Sequence, residues 1–466
     1  MMQHYDVIGV GIGPFNLSLA ALLADKSLKC MFVDKKAEFN WHAGVMMPTT
    51  TLQVPFMADL VTMADPTNRF SFLNYLKAQG LLYPFFFKES FFMLRKEYNE
   101  YCRWVIAQLS SCHFAMEAVR IKTLKQQNKY VWQVAIKDAN GFVKQLTAEN
   151  VVFGVGSVPQ LPHALRDASQ RIKENIHHSA QYLDIKDSLL SKKHITLIGS
   201  GQSAAEIFLD LMSTKHISTK LTWITRSKSF FPMEHTPLAL EHFSPDYIDY
   251  FYDLSKEKKT KLVTKQGLLH KGISGETLKE IYTLLYQRKI YGDHSFEVIS
   301  NSELVDVEPC YSSEQQQILR CHYHQRDQAQ SFKVETDHVI AATGYEDNLS
   351  RWLKTVADDF ALDDSGNYLI DKNYQLQHAH VHELRAFVQN AEMHSHGVGA
   401  PDLTLGAYRS ALIANQLLGY KHYQFASQHG LTHFGVPTRY LKEQENAQES
   451  AQKEVKQGEE AIAEML

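Results

Sequence analysis

The sequence has little cysteine and no paired cysteine. Its 466 residues hold five, Cys30, Cys102, Cys112, Cys310 and Cys321, and none forms a CxxC pair. That argues against a disulfide framework, a zinc knuckle and a dithiol redox centre, and it suits a reducing cytoplasm. No apolar run is long enough to span a bilayer. The N-terminus enters a strand at Tyr5-Asp6-Val7-Ile8 with no leader pattern, so no secretory leader is expected. The net charge is only −4, which gives no electrostatic reason to expect nucleic acid or an anionic membrane as partner. A repeat of 20–50 residues is missing, against solenoids and propellers. GxSxG is missing too, against serine hydrolase chemistry. His378-Ala379-His380-Val381-His382 alternates as a strand would, with three imidazoles on one face. No cysteine or second histidine cluster completes a ligand set, so no metal is assigned.

What is present is an ordinary globular composition, 44% hydrophobic and 21% charged, in a chain long enough for two or three domains. Two segments share one plan. The first runs Asp6-Val7-Ile8-Gly9-Val10-Gly11-Ile12-Gly13-Pro14 and continues as a helical pattern from Asn16 to Ala24. The second runs from His194 through Gly199-Ser200-Gly201-Gln202-Ser203-Ala204 and is helical through Leu211. Each reads as strand, tight glycine turn, helix. A dinucleotide pyrophosphate needs that arrangement: glycine permits close backbone approach, and the helix start offers unpaired N–H groups and a positive dipole end.

Gly9 and Gly11 occupy the first two fingerprint positions, Pro14 stands at the third, and Gly13 comes one residue early. Proline is tolerated in a first helical turn. The next strand, Cys30-Met31-Phe32-Val33, ends in Asp34, placed to accept a ribose hydroxyl. In the second turn, Gly199, Gly201 and Ala204 form GxGxxA, with Gln202 and Ser203 between them. Its partner strand Leu221–Thr225 ends in Arg226, with Lys228 nearby. A cation there suits the 2′-phosphate of NADP. The order implies FAD first and NADPH second.

The expected fold is α/β: two Rossmann-like dinucleotide-binding domains with a small helical substrate-binding insert. Residues 1–165 and 346–440 form the FAD domain, 190–236 and 292–345 the NADPH domain, 237–291 the insert, and 441–466 a polar tail. Val151–Pro159 reads as a strand leaving the first domain, and Val339–Tyr345 as a buried strand closing the second. The polar stretch after Pro162 reads as a linker. The aromatic run Tyr83–Phe87 reads as core or pocket lining, and Lys256–Lys259 as a solvated helix face.

Several motifs in combination carry a family resemblance. They are Gly11-Ile12-Gly13-Pro14-Phe15-Asn16-Leu17-Ser18, Trp41-His42, Leu52-Gln53, Asp59-Leu60-Val61, Asp65-Pro66-Thr67, Phe72-Leu73-Asn74-Tyr75-Leu76 and Tyr101-Cys102-Arg103-Trp104. Later come Gly201-Gln202-Ser203-Ala204, Ala342-Thr343-Gly344-Tyr345, His396-Gly397, Pro401-Asp402-Leu403-Thr404-Leu405 and Arg409-Ser410. Up to about His433 the chain resembles the siderophore-pathway N-hydroxylating monooxygenases, which include lysine, ornithine and diamine N-hydroxylases. The resemblance implies that NADPH reduces FAD, that O2 adds to give a C4a-hydroperoxyflavin shielded by NADP+, and that a neutral primary amine attacks it. It implies that Trp41 and Gln53 line the flavin, with His42 packed beside them. Gln202 then faces the nicotinamide, Thr343-Gly344-Tyr345 lies at the cofactor site, and Leu403-Thr404 holds the isoalloxazine. Gln53 and Gln202 stand nearest the chemistry, and no general base is assigned. Homo-oligomers, often tetramers, occur in the family.

Amino-acid hydroxylases of this family carry Lys where this chain has Ala58, and the ornithine enzymes carry Asn where it has Leu240. Neither residue here can pair with an α-carboxylate, and burying one unpaired costs about several kcal/mol. A decarboxylated amine is therefore expected: putrescine, cadaverine or histamine. The alternative is L-ornithine or L-lysine, with Lys88 or Arg95 holding the carboxylate. A carbon or sulfur oxygenase is a further alternative, but its FxGxxxHxxxW-like stretch is not found after Phe153.

Overall fold

The computed structural model describes residues 2–441 except 127–128, 216–217, 358–359, 382 and 438. The expected polar tail beyond Leu441 and His382 of the histidine run lie outside the described residues.

Gln3–Val10 is the inner strand of the first sheet. It pairs in parallel with Cys30–Val33 on one side and Val143–Phe153 on the other. Arg385–Val388 and Cys112–His113 extend the parallel set. Val7, Ile8, Val151 and Val152 expose nothing: on one face Val7 and Val152 share a core with Leu17 and Ala411 of two helices, and on the other Ile8 and Val151 pack with Ile121, Trp132 and Leu353. Met116–Gln126 and Lys129–Asp138 add an antiparallel hairpin to Val143–Phe153.

The second sheet is wholly parallel, in the spatial order Ile176–His178, His338–Ala341, His194–Ile198, Lys220–Ile224, Phe296–Ile299. The stretch after Pro162, expected as a linker, is part of this second layered unit. The helix His163–Arg171 buries Leu165 and Ala168 in one core with Val307 and Leu319, and Ile176–His178 is the sheet's edge. Its polar composition comes from an amphipathic helix that shows one face to water. The two chain passages between the sheets, Ser157–Pro159 and Tyr345–Asp347, pair antiparallel as one ribbon.

Between Pro237 and Ile290 the chain is helical: Pro237–Leu240, Pro245–Tyr252, Lys256–Lys265 and Gly275–Ile290. Ser244 and Ser274 cap two of these by accepting the N–H of Tyr247 and Thr277. The Lys256–Lys259 face is not only solvated, because Lys256 pairs with Asp363 at 3.0 Å. The last long helix among the described residues, Gly406–Leu418, lies against the first, Pro14–Leu23.

Two further expectations fail. Tyr83, Phe86 and Phe87 are 73%, 72% and 71% exposed, so only Phe85 of that run packs inward, on Phe56 and Phe72. The described part of the histidine run, residues 378–381, is not a strand. His378 is buried against Trp132 and Phe360, and its Nδ1 accepts the N–H of His380 and Val381, which turns the chain.

Candidate active site

Both glycine turns sit at the C-terminal ends of parallel strands. At the first, Gly11 has φ +89°, and a Cβ there would lie 2.2 Å from the Gly154 carbonyl oxygen. A Cβ on Gly9 would lie 2.1 Å from the Phe32 ring. Gly13 is different: a Cβ would meet nothing within 4 Å. Protein packing does not demand glycine there, whereas a ligand in that space would. The helix begins with Pro14 at its first turn and has no side-chain cap, so its N–H groups face the same opening. Asp34 accepts Ile12 N–H at 2.8 Å and Lys36 N–H at 2.9 Å, which fixes the carboxylate beside the turn with lone pairs to spare.

Asn16 holds this turn from beneath. Its amide donates to the Gly11 carbonyl at 2.8 Å and the Val10 carbonyl at 3.2 Å. Gln389 donates to Asn16 Oδ1 at 2.8 Å, and Ser410 donates to Gln389 Oε1 at 3.1 Å. All three side chains are buried. The chain's last third is thereby stitched to its first dozen residues.

At the second turn Gly199 has φ +141°, and a Cβ would lie 2.2 Å from the Ala342 carbonyl oxygen. A Cβ on Gly201 would approach only the Lys271 carbonyl, at 3.9 Å. The helix Gln202–Thr214 is again without a side-chain cap. Ala204 is fully buried against the sheet and Ser203 is half-exposed. Arg226 and Lys228 are exposed at the end of the neighbouring strand and make no ion pair among the described residues. Ser200 and Ser227 hydroxyls meet at 2.9 Å beside them.

Trp41, His42 and Tyr345 come together. The Trp41 and His42 rings lie 4.5 Å apart, and His42 and Tyr345 5.7 Å apart. His42 is open to solvent yet walled by protein. The surrounding protein, then the charges of Arg95 and Lys36, lower its imidazole from the ordinary histidine range. Thr343 donates to the Gln160 carbonyl, and the Gly344 carbonyl pairs with His178 Nε2 at 3.0 Å. Gln53 lies in Thr51–Pro55, where pairing with Phe92–Leu94 breaks between Thr51 and Pro55. Such a bulge re-aims side chains.

Gln202 belongs to a network that the sequence did not reveal. Its Nε2 donates to Glu206 and to Thr277 Oγ1, and its Oε1 accepts Ser274 N–H. Glu206 in turn pairs two-pronged with Arg95 at 2.8 and 2.9 Å, and Arg95 also donates to the Val45 carbonyl. Arg95, the second helix and the helical insert are thus one unit, and the Gln202 amide is committed to it. The Gln202–Glu206 spacing of four on a helix was legible. Arg95, more than 100 residues earlier, was not.

Leu403 and Thr404 start a short 3-10 turn capped by Asp402, which accepts Thr404 N–H at 2.8 Å. Burial raises the Asp402 carboxyl, while Thr404, His235 and Arg409 act in opposition. Ala58 is buried at 3% exposure; Leu240 ends the first insert helix, 40% exposed. Asp59 is buried and accepts the N–H groups of Val61, Thr62 and Phe72, an organising role for this loop. Lys88 donates to the Phe92 carbonyl at 2.6 Å.

Two uncapped helix starts facing open space, one beside an acid and one beside a cation, define a protein that holds two dinucleotides. The residues fit FAD at the first and NADPH at the second. The family of L-lysine 6-monooxygenase/L-ornithine 5-monooxygenase matches residues 3–347. Rhizobactin siderophore biosynthesis protein RhbE of Rhizobium meliloti is 41% identical over 446 residues, 94% of this chain and 96% of that one. A putrescine N-hydroxylase of Shewanella oneidensis is 40% identical over 423 residues, 90% of this chain and 82% of that one. Among solved structures, FAD-bound DfoA, a cadaverine monooxygenase of desferrioxamine biosynthesis from Erwinia amylovora, aligns with TM-score 0.86 at 35% identity. It covers 93% of this chain and 99% of that one. The chain belongs to the L-lysine 6-monooxygenase/L-ornithine 5-monooxygenase family of flavin-dependent N-hydroxylating monooxygenases.

Proposed function

We propose that this enzyme hydroxylates one nitrogen of a small decarboxylated diamine, putrescine or cadaverine, for siderophore assembly, with FAD and NADPH as cofactors. The observation that carries the substrate half is the engagement of the cations. Ala58 and Leu240 offer no partner to a carboxylate. Arg95 is locked to Glu206, and Lys88 is exposed, with one of its three donors on the Phe92 carbonyl. The relatives named for putrescine and cadaverine favour linear diamines over histamine and over the amino acids.

In this reading Gly9, Gly11, Gly13, Pro14 and Asp34 hold the FAD dinucleotide. Trp41, His42, Gln53, Leu403 and Thr404 surround its ring. Gly199, Gly201, Ser203 and Arg226 hold NADPH beside Thr343, Gly344 and Tyr345, with Gln202 positioning that helix. Residues 1–165 with 346–440 form the FAD domain and 190–236 with 292–345 the NADPH domain, whose sheet takes its edge strand Ile176–His178 from the segment between them. The insert 237–291, Ala58 and Leu240 surround the amine. A homo-oligomer belongs to the same reading, as does a cytoplasmic setting, which the five unpaired cysteines suit.

Bound FAD, reduced by NADPH, supplies the electrons and activates O2 for transfer of one oxygen atom to nitrogen. The protein's task is to deliver a neutral amine to that oxygen and to keep water out. An alkyl ammonium, with an ordinary pKa of about 10, has no lone pair to give. Transfer into an apolar site disfavours its charge and lowers that pKa.

Arg226→Ala tests the cofactor assignment. The KM for NADPH is expected to rise by about 100-fold, the worth of one charged pairing, with NADH turnover unchanged. Equal loss with both nucleotides would remove the 2′-phosphate contact from Arg226.

A further inference from the structure

We infer that residues 429–434 are a strap that fixes the start of the helical insert, which makes Glu241 and Asp246 positioning residues for amine binding. The inference rests on the assignment of Leu240 to the amine pocket.

After the helix Gly406–Leu418 the chain crosses back over the insert. Four consecutive backbone N–H groups, His429 to Thr432, are all accepted by two insert carboxylates. Asp246 takes His429 at 2.8 Å and Gly430 at 2.7 Å. Glu241 takes Leu431 at 3.0 Å and Thr432 at 2.7 Å. His429 Nδ1 adds a fifth contact to Asp246, at 3.0 Å. A Cβ on Gly430 would come 3.1 Å from Glu241 Oε2, so glycine suits the close approach. Phe434 completes the clasp, its ring 5.1 Å from His242 and 4.9 Å from Tyr247.

The other end of the strap reaches the flavin half. Tyr408, in the Gly406–Leu418 helix, lies 4.6 Å from Phe425 and 5.9 Å from His429, ring to ring. That same helix meets the first glycine turn through Ser410, which donates to the Phe15 carbonyl. The strap therefore links the helix behind the flavin turn to the insert.

What it holds is a piece that cannot hold itself. Pro237–Leu240 is a single helical turn without a side-chain cap, and such a turn has no stability of its own. Leu240 immediately precedes Glu241. Anchoring Glu241 by two N–H groups fixes where Leu240 points. The Thr432 hydroxyl and the Leu431 and Thr432 N–H groups also hold the Glu241 carboxyl below its usual range, which keeps it ionised.

The test uses the full-length, FAD-loaded protein as Glu241→Ala and, from the strap side, Phe434→Ala. Hydrogen exchange across residues 237–252 and steady-state kinetics with putrescine are measured on each. Both variants are expected to exchange faster there and to raise the amine KM by about tenfold, the scale of one charged hydrogen bond. NADPH KM and flavin content should stay as in the wild type. Glu241→Gln, which keeps an acceptor oxygen, should recover part of the loss. Unchanged exchange in both variants would overturn the strap. Faster exchange with an unchanged amine KM would leave a clasp with no part in amine binding and overturn the positioning role. If the wild type makes no hydroxylamine from putrescine, the substrate assignment falls instead, and exchange still decides the clasp.

Discussion

Gly11→Ala is expected to fold into a protein that purifies without flavin. The added methyl would stand 2.2 Å from the Gly154 carbonyl oxygen, in a backbone conformation of φ +89° that alanine rarely adopts. Strain of this kind costs about 1–3 kcal/mol before the clash is counted. Relief requires the turn to move, and the Asn16 bonds to Val10 and Gly11 move with it. A shifted turn no longer presents the helix start to the pyrophosphate, so FAD affinity should fall by about 100-fold or more. Flavin absorbance of the purified protein and titration with FAD measure it. Gly13→Ala is the companion. Its methyl meets no protein atom within 4 Å, so thermal stability should hold while FAD binding weakens. Full FAD affinity in Gly13→Ala would mean that the pyrophosphate does not occupy that opening.

Arg95→Met should be the most destabilising single change at the junction of the two halves. It leaves Glu206, 8% exposed, as a buried carboxylate without its cation. Removing one partner of a buried pair costs about 3–5 kcal/mol, mostly the penalty of the stranded charge. Burial already raises the Glu206 carboxyl, and Arg95 and Gln202 are what oppose that rise. Adding Glu206→Gln to Arg95→Met should therefore recover most of the loss, because a neutral amide can keep its bond to Gln202. Urea unfolding of the two single variants and the double variant reads this as a cycle. A loss below about 1 kcal/mol in Arg95→Met would put the pair in the class of solvent-screened surface bridges.

The nucleotide framework was legible because its signals are local. Strand, glycine turn, helix and the next strand's terminal residue lie within about thirty residues, and backbone sterics leave few ways to build such a turn. The links that hold the turns in place were not legible. Asn16 and Gln389 lie 373 residues apart, and Arg95 and Glu206 lie 111 apart. No periodicity connects such positions. Two misreadings share another cause. Apolar residues are usually inside but need not be, so Tyr83, Phe86 and Phe87 looked like core and lie in solvent. Polar composition looked like linker between Pro162 and His194, yet a five-stranded sheet needs an edge, and Ile176–His178 supplies it. The histidine run failed as a strand because one imidazole, His378, accepts the N–H groups two and three residues on.

The most direct test of a decarboxylated-amine hydroxylase compares kcat/KM for hydroxylamine formation by FAD-loaded enzyme, with NADPH and O2, on putrescine, cadaverine, L-ornithine and L-lysine. With Ala58 and Leu240 in place of carboxylate partners, the diamines should lead the amino acids by at least about 100-fold, the cost of an unpaired buried carboxylate. Equal or higher kcat/KM on L-ornithine or L-lysine would contradict the account, because a cation such as Lys88 would then have to bind the carboxylate.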